Sequence, residues 1–341
     1  MRITFLTPHL RIAGGVRAIL TYADRLAGRG HEVTVLAPAR GGARAWWRNR
    51  TRAGGPDWMP GLRARVRWVA AWDPAALPAG DVLVATAWQS APAVAAAPAA
   101  CGRRFYLVQH YESLYHGEPA RVDATYRLPL RKIVISTWLA DTMRERFAQA
   151  AEVLVTPVDP GLFRPVPAVD DGHLRVLMLH HDYAWKGVAE GLEAMAKARA
   201  GRARLRLVGF GVKPPRAAGG YDEFVANPPQ KGLAALYSRC PIYLCPSWDE
   251  GLGMPPMEAM ACGAALVTFD NGGCRDYALH ERTALVAPRR DVAALGVALA
   301  RMADDTELRA RLARAGRDWV STRFDWARAT ARMEQLFEED A

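Results

Sequence analysis

Residues 249–263 read DEGLGMPPMEAMACG. Two glutamates, Glu250 and Glu258, stand eight residues apart, separated by two glycines and a proline pair and by no basic residue. A proline at 255 or 256 suits the start of a helix, where its missing N–H costs nothing. Gly251 and Gly253 then lie in the turn feeding that helix. Glycine there lets the backbone approach a ligand, and the unpaired N–H groups of a helix start suit a phosphate. Just upstream, PIYLCP (241–246) is a short apolar run with strand character. Strand, glycine turn and helix follow one another, so Glu250 is expected at the strand end and Glu258 in the first helical turn. A carboxylate accepts two hydrogen bonds from a vicinal diol, so two spaced carboxylates can grip two sugars. A plainer role for Glu258 is helix capping, and spacing alone does not separate the two.

The same alternation extends outward from this stretch. RITFLTP (2–8) reads as a strand. GGVRAILTYADRLAGRG (14–30) carries Val16, Ile19, Leu20, Ala23, Leu26 and Ala27 at helical spacing. HEVTVLAP (31–38) is again a strand, so the chain opens with a β-α-β unit of a parallel sheet. Further strands fall at 81–86, 104–109 and 132–136. The pattern restarts with LRVLML (174–179), a helix near 187–200, a strand at 204–209, a helix at 233–240, the opening stretch, and AALVTF (264–269). Between the halves, 155–173 concentrates proline, glycine and aspartate, as a linker does. The expected fold class is therefore α/β, with two Rossmann-like domains facing across a cleft. The expected boundaries are 1–163 and 164–322, with a terminal amphipathic helix in 323–341. Ligands of such sheets bind beyond the carboxyl ends of the strands. AGGVRA lacks the G-x-G-x-x-G spacing of a dinucleotide oxidoreductase.

Half of the 341 residues are apolar and 23% are charged, an ordinary globular composition. The apolar runs are all shorter than a spanning helix requires, and MRITFLTPHL is interrupted too early to be a signal peptide. The five cysteines (101, 240, 245, 262, 274) form no CxxC pair, which suits reduced thiols in the cytoplasm. The net charge is +10, and arginine dominates it, since the chain has only five lysines. Such a balance favours anionic partners. Residues 43–68 mix arginines with Trp46, Trp47, Trp58 and Trp68. This composition suits peripheral contact with the inner membrane surface. The reading placed ahead of it is a solvated loop with tryptophans packed beneath. No nucleic-acid reading motif accompanies it, and no nucleic acid partner is expected.

EGLGMPPMEAMACG resembles the E-x7-E signature of the retaining family 4 glycosyltransferases, enzymes of the GT-B fold. The likeness extends through the proline pair and the EAMACG helix start. In the family's order, GGV (14–16) resembles its N-terminal glycine loop, and VDPGLFRP its interdomain V-D-x-x-x-F-x-P segment. WKG resembles its Lys-Gly after the first strand of the second domain, and LVGFG and NGG two further loops.

The resemblance implies that Glu258 holds the ribose of a nucleoside diphosphate sugar and Glu250 its hexose. Backbone groups of Gly251, Leu252, Gly253 and Met254 would face the sugar or pyrophosphate. Lys186 would neutralise the departing pyrophosphate. Gly14 and Gly15 would bring a helix N-terminus of the first domain to the same phosphates, and His110 would lie near the reacting sugar. Glu112, two residues on, would orient His110 or be solvated. The last helix would pack back on the first domain. One departure stands out: His181 occupies the place of the family's arginine, with Arg206 or Arg275 as candidates to compensate.

The implied activity is retaining transfer from a nucleotide sugar to a glycan, glycolipid or small-molecule hydroxyl, with no cofactor and no obligatory metal. A sugar phosphorylase or epimerase on the same scaffold, and a non-catalytic nucleotide-sugar binder, are the competing readings.

Overall fold

The computed structural model describes residues 1–39, 55–169, 171–215 and 219–339. The chain divides into two compact units. One comprises Met1–Thr156 with Ala327–Ala341, the other Pro157–Trp326. The division thus falls at 156/157 rather than 163/164. The reason is Phe163, whose ring packs on Tyr237 of the second unit at a centroid distance of 6.0 Å. The later division falls at 326/327 rather than 322/323.

The first unit holds seven parallel strands: β1 (Arg2–Leu6), β2 (Glu32–Pro38), β3 (Arg65–Val69), β4 (Val82–Ala85), β5 (Arg103–Val108), β6 (Arg131–Val134) and β7 (Ala151–Val153). Their order is β3-β2-β1-β4-β5-β6-β7. The second holds six: β8 (Leu174–Leu179), β9 (Leu205–Gly211), β10 (Glu223–Ala226), β11 (Ile242–Cys245), β12 (Ala265–Phe269) and β13 (Ala284–Ala287). They too are all parallel, ordered β10-β9-β8-β11-β12-β13. Counted from its own first strand, each sheet runs 3-2-1-4-5-6, the doubly wound order, and the first adds a seventh strand at its edge. The central strands β4, β11 and β12 are buried along their whole length, as sheets covered by helices on both faces require.

Four strands were not expected from the sequence: β3, β7, β10 and β13. All four are sheet edges. Strand β3, RVRWV, lies at the end of the arginine–tryptophan stretch and alternates exposed arginine with valine. The indole N–H of Trp58 donates to the Leu10 carbonyl at 3.0 Å, tying this stretch down by that ring. Residues 43–54 of the proposed membrane-contact region lie outside the described residues.

In the second unit, Val176, Met178, Leu207, Leu244, Val267 and Phe269 of the sheet meet Leu295, Leu299 and Met302 of the helix Val292–Asp304. The helix Trp326–Glu338 packs within the first unit from Ala327 onward. Phe337 lies edge-on to Phe105 at 4.8 Å and near Phe5 at 6.4 Å. Arg29 donates to Glu334 at 2.8 Å.

Candidate active site

The order of the second sheet reverses between β8 and β11, so its crevice opens where the segments after these two strands diverge. After β8 come His180 and His181, then a tight turn, Ala184–Lys186, and Gly187 in the left-handed region at φ +67°. A Cβ on Gly187 would fall 1.9 Å from the Pro246 carbonyl oxygen, so only glycine permits this approach. The turn is thereby laid against the segment after β11. Trp248 N–H donates to the Trp185 carbonyl at 2.8 Å.

Across this contact Lys186 Nζ donates to Glu250 Oε1 at 2.6 Å. The side chains retain only 20% and 12% of their exposure. Glu250 stands five residues beyond β11 rather than at the strand end. Its N–H is fixed by the Asn271 carbonyl at 2.9 Å. A cavity of about 10 Å³ beneath the pair is lined by Leu179, Lys186, Tyr243, Pro246, Ser247 and Glu250. It has room for about one water molecule and none for a sugar. A ligand must therefore meet the pair from its exposed side.

The helix Met254–Ala261 begins here, with Gly253 at φ +89° as its N-cap. A Cβ on Gly253 would stand 2.7 Å from Tyr277 Oη, and that hydroxyl donates to the Gly253 carbonyl at 3.2 Å. Met254, not a proline, is the first helical residue; Pro255 and Pro256 follow it. Because prolines carry no N–H, the start of this helix offers Gly253 and Met254 as its leading donors. Gly251 and Leu252 are buried, the latter at 2% exposure. Glu258 is the fifth residue of the helix and lies outside the first turn, so it is no cap. It is 2% exposed, and its Oε2 accepts the Tyr237 hydroxyl at 3.0 Å.

His181 lies beside this pair. Its Nδ1 accepts the Tyr183 N–H at 3.1 Å. Its ring packs on Tyr183 at 4.3 Å, and Tyr183 stacks on Trp185 at 4.2 Å. Burial, and then the Lys186 charge, hold the imidazole pKa below its ordinary value. Both candidate substitutes for the missing arginine are engaged with other groups of the protein. Arg206 sits near the start of β9, at the amino end of the sheet, and donates to the Ala203 carbonyl at 2.7 Å. Arg275 makes a two-bond fork to Asp270, both bonds at 2.8 Å. Sequence reading missed Arg289, which forks onto buried Asp249, next to Glu250, at 3.1 and 2.6 Å. The DE pair at 249–250 was visible, but nothing marked Arg289 as its partner.

Gly14, Gly15 and His110 belong to the first unit. Gly14 and Gly15 open the helix Gly14–Gly28 beyond β1. A Cβ on Gly15 would lie 3.0 Å from Gln109 Oε1. His110 follows β5, with the rings of Tyr115 and His116 at 6.1 and 6.3 Å. Glu112 is neither solvated nor turned to His110. Its Oε2 accepts the Trp88 N–H at 2.9 Å and the Tyr106 hydroxyl at 3.4 Å. Burial pushes its carboxyl up to about 7.

Residues 162–319 match the model of the family described as Glycosyl transferases group 1. The match spans β8 to β13 and contains the Lys186–Glu250 pair. The chain is also 34% identical over 266 residues to the O-antigen biosynthesis protein RfbC of Myxococcus xanthus, covering 74% of this chain and 20% of that protein. The chain thus spans about a fifth of that curated relative. Among solved structures, sucrose-phosphate synthase from Thermosynechococcus elongatus superposes with a TM-score of 0.80 at 18% identity, covering 99% of this chain and 98% of that one. Anabaena HepE, solved in complex with UDP and glucose, gives 0.77 at 15% identity over the full length of both. Two parallel-sheet Rossmann-like domains are the fold class of the GT-B glycosyltransferases, and this chain has it. Among the described residues, no helix is long and apolar enough to cross a membrane.

Proposed function

We propose that the protein is a retaining family 4 glycosyltransferase that moves a sugar from a nucleoside diphosphate sugar to an acceptor hydroxyl. The observation that carries this is the Lys186–Glu250 pair at the switch point of the second sheet. A cation and a sugar-binding carboxylate, 2.6 Å apart beside a glycine-capped helix start, suit a phosphate joined to a sugar. Lys186 would meet the charge that develops on the departing diphosphate, an electrostatic contribution that removes the need for a resident metal. Glu250 would accept hexose hydroxyls, and Glu258, fixed on one side by Tyr237, the ribose diol. Gly253 and Met254 N–H would reach the diphosphate or sugar. In the first unit, Gly14 and Gly15 are proposed to meet phosphate and His110 sugar, as the resemblance implies.

The bond from anomeric carbon to phosphate oxygen breaks with oxocarbenium character. The acceptor oxygen attacks from the same face, and its proton passes to the leaving phosphate. The solved complexes of HepE with UDP make uridine diphosphate sugars the first donors to test. The likeness to an O-antigen biosynthesis protein favours a cell-envelope glycan or glycolipid acceptor, met at the cytoplasmic surface of the inner membrane.

The test is a thermal-shift screen of wild type and Glu258→Ala against UDP, GDP, dTDP, CDP and ADP, with and without magnesium. One diphosphate is expected to raise the wild-type Tm by mass action and to lose that effect in the variant. Turnover of the matching sugar nucleotide should then give a product of unchanged anomeric configuration by NMR. An inverted product would sink the retaining assignment. Dependence on inorganic phosphate, or turnover without acceptor, would point to a phosphorylase or epimerase instead. Stabilisation without turnover would leave a binding protein.

A further inference from the structure

His181 faces a choice that an arginine in its place would not. An arginine is always charged, whereas an imidazole is charged only when both ring nitrogens carry protons. Here Nδ1 is committed as an acceptor, because the Tyr183 backbone N–H points at it from 3.1 Å. A neutral ring that accepts at Nδ1 must carry its proton on Nε2. Protonating Nδ1 would set two N–H groups against each other and discard the bond.

The ring cannot easily turn to escape. It packs on Tyr183, which is itself stacked on Trp185, in a row of three rings one turn from Lys186. The charged groups around it pull in both directions. Lys186 and the neighbouring His180 oppose protonation, while Asp182 and Glu250 favour it. Glu250 is already paired with Lys186, and Asp182 is largely exposed and faces Lys213 at 4.0 Å. Burial outweighs both. Among the described residues, Nε2 has no hydrogen-bond partner.

We infer that His181 serves this site as a permanently neutral hydrogen-bond donor, its Nε2–H directed to the anionic oxygen of a ligand that Lys186 also holds. The inference rests on reading the crevice as a diphosphate site. It puts a neutral donor beside Lys186 where the resemblance implies an arginine. Anion binding then depends on hydrogen-bond geometry at position 181 and does not strengthen when the medium is acidified enough to charge an ordinary histidine.

Two measurements on the full chain test this. The first needs no ligand. Long-range ¹H–¹⁵N spectra of protein labelled at histidine, with His181 assigned by its loss in His181→Gln, report which ring nitrogen carries hydrogen. The expected result is protonated Nε2 and bare Nδ1 from pH 8 down to pH 6. A proton on Nδ1, in either the charged ring or the other tautomer, overturns the inference.

The second measures the Kd of UDP and of inorganic pyrophosphate in wild type, His181→Gln and His181→Ala. Glutamine places a neutral N–H near the position of Nε2. It should keep Kd within about threefold of wild type, while alanine loses about tenfold, a typical loss for a hydrogen bond to a charged group. Glutamine as poor as alanine, or wild-type binding that tightens tenfold between pH 7.5 and 6 beyond any change in His181→Gln, overturns it. If neither probe binds wild type, the diphosphate reading fails and the donor role with it, while the spectra still decide whether the ring is neutral.

Discussion

The two sheets share one strand order but place different chemistry at their switch points. Beyond β8 and β11 the second sheet sets Lys186 against Glu250, with Arg289 on Asp249 alongside. Beyond β1 and β4 the first sheet sets Thr7, Thr86 and Ser90, all buried, with Gln109 after β5 reaching the Thr86 carbonyl at 3.4 Å. The groups named in the second sheet are ion pairs, and those named in the first are hydroxyls and an amide. Topology therefore fixes where a ligand can bind, and a handful of side chains fix whether that ligand is charged.

The largest expected effect lies in the charged crevice. Lys186→Ala should lower kcat/KM by roughly 10²–10³, about 3–4 kcal/mol of lost electrostatic stabilisation, read by steady-state kinetics. It also leaves Glu250 mostly buried without its cation. Lys186→Met with Glu250→Gln should therefore recover much of the Tm and none of the activity. Recovery of activity would erase the contrast between the two crevices. Next in size is Gly187→Ala, which combines a positive φ with a clash against Pro246. It should cost about 3 kcal/mol in denaturant unfolding, the upper range for stored backbone strain.

On the side of the first sheet, the comparison is sharpened by Glu112. Its carboxyl sits at about 7, against 4.5 ordinarily, so the folded state holds its proton more tightly than the unfolded chain. The stability this gives is complete below pH 4.5 and is lost as pH rises through about 7. Glu112→Gln should flatten that dependence and gain roughly 2 kcal/mol at pH 8, read from unfolding curves across the range. A variant that loses stability at pH 8 would show the carboxylate to be the preferred form.

The smallest effect is expected at Gly15→Ala. Alanine favours the helix by about 1 kcal/mol, and a few tenths of an ångström of movement by Gln109 absorbs the 3.0 Å contact. Stability should change by less than about 1 kcal/mol. A loss of nucleotide binding at unchanged Tm would show that this helix start meets the donor.

The interior strands were legible because parallel strands covered on both faces must be continuous apolar runs; LRVLML and PIYLCP admit little else. The edges were not. RVRWV reads as a basic surface segment, AEV is three residues long, and EFVA and ALVA are too short to show a period. In the site, what lies within one stretch was legible in the sequence and partners distant in sequence were not. Glu250, Gly253 and Glu258 announced themselves within one stretch. That Tyr237 would hold Glu258, that Arg289 would hold Asp249, and that Arg206 would stand at the wrong end of its strand are facts of tertiary placement. Glu258 also moved out of the first turn because Met254, rather than a proline, opens its helix. A shift of one or two residues decides whether a carboxylate caps a helix or lies inside the protein.

The returning helix Trp326–Glu338 has a consequence for how the molecule is made. Synthesis runs from the amino end toward the carboxyl end, so every strand of the first sheet has left the ribosome long before Phe337 exists. Until then Phe5 and Phe105 lack the ring that covers them, and Arg29 and His31 lack Glu334. The second unit, whose residues run without interruption from Pro157 to Trp326, has its full complement while the first is still waiting. The half that begins the chain is the half that is sealed last.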